Sequence, residues 1–271
     1  MAIAGNRLTL VDTLKLYPDT NLECTWRAAL QPHSRPENDP PFSACHGLKP
    51  AFSESRSYVA TNARSFLKPC PYPNAGERSS KGQPLRQCAV NAEGIRNANA
   101  LAEQKKLGAL CRFQECDASQ PLPFADESFD AVFSNDVLCH VPGRLGLLRE
   151  ISRILKAGGR LLFSDALIVG GMISHEEIAM RSAIGRYFFS PPGENEKLLE
   201  RAGLQLICAR DTTESAAGIS LFWRDARGKR KAEFMAVEGE PNFSGLQRFL
   251  ECVHKLSSER RLLRFLYVAR K

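Results

Sequence analysis

Polar side chains are concentrated in ECDASQPLPFADESFDAVFSNDVLCH, which covers residues 115–140. Asp117 follows one short apolar segment, and Asp136 and His140 follow the next one, DAVFS. A carboxylate beyond the end of a strand can accept a hydrogen bond from an exocyclic amine, and a nearby histidine or carboxylate can help to deprotonate an amine. These residues therefore predict a crevice that binds a ligand. The alternative is that strands simply end in loops, and that loops are polar.

The segments that must position these residues alternate between strands and helices from residue 87 onward, as in a parallel sheet covered by helices. Apolar runs predict strands at 110–116, 129–135, 160–169, 204–213 and 264–271. Apolar residues at helical spacing predict helices at 92–108, 142–159, 194–203 and 246–263. In open sheets of this class, ligands bind outside the carboxyl ends of the strands. We expect Asp117–Ala118, Asn135–Asp136 and Asp165 to end three strands at that edge.

The chain before residue 87 has a different composition. Ten of its 16 prolines lie there, and proline interrupts both helices and central strands. We expect residues 1–86 to be mostly irregular and residues 87–271 to form the folded domain. Within the first region, only residues 55–67 could form a short element.

The cysteine pattern and the apolar runs limit the class of protein. Nine cysteines occur without any Cys-x-x-Cys spacing, so the sequence predicts neither a metal site nor a redox pair. Cys111, Cys116, Cys139 and Cys208 are expected to be free thiols that pack as small apolar groups in a reducing compartment. No signal peptide is recognised, and no run reaches the roughly 18 to 20 apolar residues that span a bilayer. We expect a soluble cytoplasmic protein.

The formal net charge of +7 raises the question of nucleic acid as a partner. The basic residues cluster at 223–233 and 259–271, where acidic residues are interspersed and no nucleic-acid-binding motif is found. We interpret both clusters as solvated helix faces and expect no nucleic-acid partner.

Residues 115–167 resemble the middle of a class I S-adenosylmethionine-dependent methyltransferase, and the similarity extends over roughly 88–271. The segments LPF…ESFDAV and GG-R-L match the approaches to the fourth and fifth strands of that family. The resemblance implies a Rossmann-like α/β sheet flanked by helices, with S-adenosyl-L-methionine as cofactor. Asp117 and Ala118 would then hold the adenine, and Asn135 with Asp136 would line the wall nearest the methionine moiety.

Within that family, the sequence is most similar to small-molecule N-methyltransferases of the glycine/sarcosine and phosphoethanolamine kind, which implies a small amine as acceptor. Residues 169–195 would form a substrate lid with a hinge at Gly170–Gly171. His140 is the first candidate for the catalytic base and Asp136 the second. Arg181 and Tyr187 would contact the acceptor. The alternatives are a surface or capping role for His140, and ordinary packing for Arg181 and Tyr187.

Two features of the family are missing. The chain contains no Gly-x-Gly, although a glycine-rich turn should follow a first strand placed before residue 87. Ala89 stands where an acidic residue would bind the ribose hydroxyls, and Asn91 is the nearest polar substitute. We therefore expect a sheet that is incomplete in its N-terminal half.

These departures leave two hypotheses open. The chain is either an active methyltransferase or a non-catalytic relic or interaction protein that has lost cofactor binding. A nicotinamide-dependent oxidoreductase and a nucleic-acid methyltransferase rank lower.

Overall fold

This computed structural model describes residues 85–271 and the backbone of 58–60. The described residues contain seven strands: β1 (Tyr58–Ala60), β2 (Leu85–Ala89), β3 (Cys111–Glu115), β4 (Phe129–Asn135), β5 (Leu155–Val169), β6 (Gln205–Asp211) and β7 (Leu262–Arg270). They also contain seven α-helices: α1 (Ala92–Gln104), α2 (Arg144–Ile154), α3 (His175–Arg181), α4 (Glu194–Arg201), α5 (Thr213–Lys229), α6 (Lys231–Glu238) and α7 (Glu240–Ser258). A short 3-10 helix, Leu138–His140, follows β4.

All seven strands belong to one sheet with the order β3-β2-β1-β4-β5-β7-β6. Strands β1 to β5 run parallel to one another. Strand β7 is antiparallel to both of its neighbours, β5 and β6. The strand order reverses between β1 and β4, which places the ligand crevice of such a sheet outside the carboxyl ends of these strands. The expected α/β, Rossmann-like architecture is confirmed.

The expected gap in the sheet is corrected by β1. Its three residues lie between β2 and β4, and Ala60 pairs with Gln87 on one side and with Phe133 on the other. Such pairing satisfies backbone groups that a gap would leave without partners. The central strand is nevertheless short, because β4 has seven residues and β1 has three. The rest of the region expected to be irregular, 1–57 and 61–84, lies outside the described residues.

Helix α2 shows how the sequence builds the core. Its buried residues Leu147, Leu148, Ile151 and Ile154 follow helical spacing and pack in the main apolar cluster. Burying each such side chain contributes about 1.5–3 kcal/mol. The predicted helix 142–159 ends early, at Ile154, because Leu155 is buried as the first residue of β5. Asn91 caps α1, whose buried face is formed by Ile95, Ala98 and Ala102.

Helices α5 and α6 contain the basic cluster at 223–233, which was predicted to be a solvated helix face. The helical conformation is as predicted, but one arginine of the cluster is not solvated. Arg227 is 4% exposed, and its Nη1 and Nη2 donate to the two carboxylate oxygens of Glu238 at 2.9 and 2.6 Å. Its guanidinium also lies over the rings of Phe234 and Phe243. This arginine is therefore part of the interior, although Arg224 and Arg230 make ion pairs nearer the surface.

The prediction of free thiols is wrong for one pair. Cys88 on β2 and Cys116 after β3 form a disulfide with a Cα–Cα distance of 5.4 Å. They lie 28 residues apart, so no sequence spacing indicates the bond, but β2 and β3 are neighbouring parallel strands. Cys111, Cys139 and Cys252 are free, as far as the described chain extends.

Candidate active site

The first candidate residue, Asp117, lies two positions beyond β3 and is exposed. Its Oδ1 accepts hydrogen bonds from the backbone N–H and the hydroxyl of Ser119, both at 2.8 Å. These hydrogen bonds hold the pKa of Asp117 below its ordinary value, so the carboxylate is ionised at neutral pH. Ala118 is half-buried and packs against the main core. The pair is thus held in one conformation with a charged acceptor facing solvent.

The disulfide anchors this loop to the sheet. Cys116 directly precedes Asp117, and its backbone N–H donates to the carbonyl oxygen of Ala89 at 3.1 Å. The sulfur of Cys116 is bonded to Cys88, which is buried on β2. Both links connect the loop of Asp117 to the end of β2.

Asn91, the residue predicted to approach the ribose, has a structural role of its own. Asn91 is exposed, and its Oδ1 accepts from the backbone N–H of Gly94 at 3.1 Å as the cap of α1. The two amide N–H groups and one lone pair of Oδ1 would then remain for a ligand. Gln87 was not predicted as a site residue, yet it is buried on β2, and neither polar atom of its side chain has a hydrogen-bond partner in the described structure. A glutamine inside an apolar strand was the available signal.

The end of β4 carries a dense polar cluster. Asp136 has a φ of 50°, a left-handed conformation that aspartate tolerates better than most residues. Its backbone N–H donates to Ser164 Oγ at 3.0 Å, and that hydroxyl lies 2.8 Å from both Asn135 Oδ1 and Asp136 Oδ1. Asn135 and Ser164 are paired in the register of β4 and β5. The predicted pair Asn135–Asp136 is therefore fixed at the carboxyl edge.

Arg264 on β7 completes this cluster, although no sequence pattern indicated that it belongs to the site. Its Nε lies 3.2 Å from Asp136 Oδ2, and its Nη2 lies 3.2 Å from the same oxygen and 3.1 Å from Asn135 Oδ1. Its Nη1 donates to Thr212 Oγ1 at 3.1 Å. Arg264 thus links the end of β4 to the loop after β6.

Asp165 does not end a strand, contrary to expectation. It lies within β5, is 0% exposed, and accepts from Arg144 Nη1 at 2.6 Å and from Asn195 Nδ2 at 2.9 Å. Arg144 also donates to Ser190 Oγ at 2.5 Å and to the carbonyl oxygen of Phe188 at 2.6 Å. Asp165 is therefore a buried anchor that joins α2, α4 and the end of the lid segment to the sheet.

His140 contacts the lid segment 169–195. Its Nδ1 lies 2.7 Å from the carbonyl oxygen of Arg186, and its ring centroid lies 4.4 Å from that of Tyr187. A carbonyl oxygen only accepts, so Nδ1 carries the proton and Nε2 carries the lone pair. His140 is exposed, whereas burial raises the pKa of the neighbouring Cys139 thiol and keeps it neutral. The imidazole, rather than the thiol, can accept a proton here.

Arg181 is the last residue of α3 and also contacts Tyr187. Its Cζ is 4.5 Å from the centroid of the Tyr187 ring and 5.0 Å from that of Phe249. The structure therefore brings together three predicted residues, His140, Tyr187 and Arg181. Among the described contacts, none joins His140, Tyr187 or Arg181 to Asp117.

The glycines at the start of the lid have a packing role. The backbone N–H groups of Gly170 and Gly171 both point to the carbonyl oxygen of Arg261, at 2.9 and 3.2 Å. A Cβ at Gly170 would lie 2.5 Å from the carbonyl oxygen of Arg260. Gly170 is thus required for the close approach of the lid to the residues directly before β7. The proposed hinge at Gly170–Gly171 stays a prediction.

This chain is similar to known proteins in both sequence and fold. Residues 79–163 match the family model described as a methyltransferase domain. Methyltransferase GfsG of Streptomyces halstedii is 32% identical over 49% of this chain and 49% of its own length. The chain spans about half the length of the curated relatives it matches first. Residues 79–163 of this chain are therefore similar to a methyltransferase domain.

Two solved structures share the fold. A Galdieria sulphuraria protein assigned as a sarcosine dimethylglycine methyltransferase has a TM-score of 0.67 and 17% identity, over 80% of this chain and 77% of that chain. Phosphoethanolamine N-methyltransferase 2 of Haemonchus contortus, solved with S-adenosyl-L-methionine, has a TM-score of 0.65 and 20% identity, over 81% and 49%. At these identities the likeness concerns the fold.

The described residues have the chemistry that the expected cofactor would need at two places. Asp117 is an ionised acceptor after β3, and Asn135 with Asp136 forms a fixed polar wall at the end of β4. No carboxylate ends β2, because Ala89 is there. The residues that directly follow Ala60 lie outside the described part. The chain also contains Asp39-Pro40-Pro41-Phe42, a tetrapeptide of the type used by nucleic-acid methyltransferases, and this segment lies outside the described part as well.

Two absences concern the described residues only. None of their helices has the length and apolar composition to cross a membrane. They also contain no cluster of three or more metal-ligating side chains.

Proposed function

We propose that this protein transfers a methyl group from S-adenosyl-L-methionine to a small-molecule amine. The single observation that carries the proposal is the contact of His140 with the lid, because it fixes the imidazole with Nε2 as the proton acceptor. A ligand crevice at the carboxyl edge and a match to methyltransferase domains support it. The relic hypothesis is not favoured by these matches.

The residues divide the work between binding and proton transfer. Asp117 and Ala118 would hold the adenine, Asn91 would approach the ribose, and Asn135 with Asp136 would line the methionine end. When bound, the cofactor supplies a methyl group on a positively charged sulfur, which an amine lone pair can attack. The amine must be deprotonated for this, and His140 Nε2 would accept that proton.

Asp136 was a second candidate for the base, but its surroundings favour a positioning role. Both carboxylate oxygens face the guanidinium of Arg264, and Oδ1 also meets the Ser164 hydroxyl. Both oxygens are therefore already engaged by donors of the protein, and these contacts fix the orientation of the carboxylate. We therefore place Asp136 with Asn135 as the group that orients the ligands.

Residues 169–195 would cover the acceptor, with Tyr187 and Arg181 facing it. Their closure would exclude water and align the amine with the methyl group. We also propose a cytoplasmic location. Because β2 (Leu85–Ala89) crosses the division expected at residues 86/87, we propose a methyltransferase domain that includes all of β2 and takes Tyr58–Ala60 as one further strand.

The test is methyl transfer from labelled S-adenosyl-L-methionine to a panel of primary and secondary amines, with phenols as non-amine acceptors. His140→Asn keeps a donor near the Arg186 carbonyl but cannot take up a proton. We expect kcat with amines to fall about 10²-fold or more in this variant, with a smaller change in KM. His254→Asn is the matched control. His254 lies on α7, and its Nδ1 also faces a backbone carbonyl oxygen, that of Ala217 on α5. Equal rates in wild type and His140→Asn would overturn the assignment of the base, and transfer to phenols alone would overturn the acceptor class.

A further inference from the structure

The guanidinium of Arg181 is buried without the partners that a buried charge requires. Arg181 is 6% exposed, and neither Nε nor Nη1 has a hydrogen-bond partner among the described residues. Leaving charged donors buried and unpaired is costly, because they lose water and gain no acceptor. A position of this kind either destabilises the fold for nothing or is completed by a ligand.

A second site in the same chain shows what completes such an arrangement. Arg227 is buried to a similar degree and lies 4.5 Å from the ring centroid of Phe234 and 5.3 Å from that of Phe243. There the chain itself supplies the carboxylate of Glu238, which accepts from both terminal nitrogens. Arg181 likewise lies over two aromatic rings, those of Tyr187 and Phe249, but the described residues supply no carboxylate to it. The missing partner is an anion.

We infer that Arg181 forms an anion subsite, and that the acceptor carries a carboxylate or a phosphate that occupies it. The inference rests on the proposed function for its link to the acceptor, whereas anion binding itself does not. Arg181 and His140 flank the same Tyr187 ring, at 4.5 and 4.4 Å. One small molecule could therefore place its anionic group at Arg181 and its amine near His140 Nε2.

Guanidinium groups suit both anions because their donors match two oxygens of a carboxylate or a phosphate. The flanking rings strengthen the site, since they hold the cation flat and exclude water from it. The position at the end of α3 also restrains the guanidinium, because α3 is capped by Ser174 and tied to β7 by Glu177 and Arg261. The subsite is therefore held in place before a ligand arrives.

The experiment uses the full chain without cofactor, titrated with inorganic phosphate and with acetate, and followed by calorimetry and by thermal unfolding. Arg181→Met keeps an unbranched side chain between the two rings but removes the charge. We expect at least one anion to bind wild type and raise its Tm, and Arg181→Met to weaken that binding by about tenfold or more. Arg227→Met is the control, because its anion is internal: this variant should lose stability but keep anion binding.

The outcomes separate this inference from the proposed function. Anion binding that is equal in wild type and Arg181→Met, or absent from folded wild type, overturns the subsite. In a methyl-transfer assay, amines that carry a carboxylate or phosphate should have a KM about tenfold or more below that of matched neutral amines, and only in chains that keep Arg181. Anion binding through Arg181 without any methyl transfer would leave the subsite standing and remove the proposed function.

Discussion

Arg264 holds the carboxylate of Asp136 across the carboxyl edge of the sheet, with Nε 3.3 Å from Oδ1 and 3.2 Å from Oδ2. The two residues are 128 positions apart, one on the last strand and one directly after β4. Because Nη2 also reaches Asn135, a single side chain orients the whole strand end. This relationship explains how an aspartate with a positive φ is kept in place at the candidate active site.

Replacement of Arg264 tests this role. We expect Arg264→Met to lower the free energy of unfolding by about 1–3 kcal/mol, because hydrogen bonds to a charged group are lost. Arg264→Lys should recover part of the loss, since one ammonium cannot reproduce the contacts to Asp136, Asn135 and Thr212 together. Denaturant unfolding measures both values. Unfolding midpoints of both variants equal to that of wild type would contradict the role.

The buried pair Arg144–Asp165 should behave differently from a surface ion pair. Removing one member leaves the other charged and buried, so Arg144→Met and Asp165→Leu should each cost about 3–5 kcal/mol. The double variant should cost clearly less than the sum of the two, since no charge is left alone. A double-mutant cycle by denaturant unfolding gives the comparison. Strict additivity would show that the network contributes no coupling.

Reduction of the disulfide between Cys88 and Cys116 should loosen the loop of Asp117. We expect dithiothreitol to lower the free energy of unfolding by about 2–4 kcal/mol, and Cys88→Ser to show no further effect of the reductant. Peptide mapping after alkylation identifies the bond directly. Cys111→Ser is the control, because Cys111 is a free thiol on β3. Recovery of alkylated Cys88 and Cys116 from unreduced protein would contradict the bond.

The lid helix α3 should keep its attachment to β7 in acid. Hydrogen bonds from Arg261 and then from the Ser174 backbone lower the pKa of Glu177 to about 2. Its value in the unfolded chain is about 4.3, so the stabilisation is complete above that pH and is lost as the pH falls through the folded value. The Tm difference between wild type and Glu177→Gln should therefore be constant from pH 7 to about 5 and shrink below about 4.3.

The control for that experiment is Glu200→Gln, which removes an exposed carboxylate from α4. Its Tm difference from wild type should be small at every pH. A Glu177→Gln difference that already disappears between pH 7 and 5 would contradict the assigned pKa.

The local part of the fold could be predicted from the sequence, whereas the long-range contacts could not. Strand β4 was predicted with both ends correct, because polar residues bound its apolar run. Asp165 was misread as a strand end, because β5 continues past an irregularity to Val169. Arg264 and the bond from Cys88 to Cys116 depend on which strands become neighbours, and no local pattern reports that.

The candidate site was predicted to a similar extent. His140, Tyr187 and Arg181 come together as one group, but their common neighbourhood depends on a lid 46 residues away from His140 along the chain. Buried charges such as Arg144 and Arg227 were missed, because arginine at helical spacing reads as a surface residue when its partner is distant in sequence.

The most direct test of the central claim is calorimetric titration of the purified chain with S-adenosyl-L-methionine. We expect wild type to bind the cofactor and Asp117→Ala to bind it about tenfold more weakly or worse, a loss of ~1.4 kcal/mol. Asp126→Asn is the matched control, because this exposed carboxylate pairs with Arg153 instead. Failure of a folded wild-type chain to bind the cofactor, or equal binding by Asp117→Ala, would contradict the central claim.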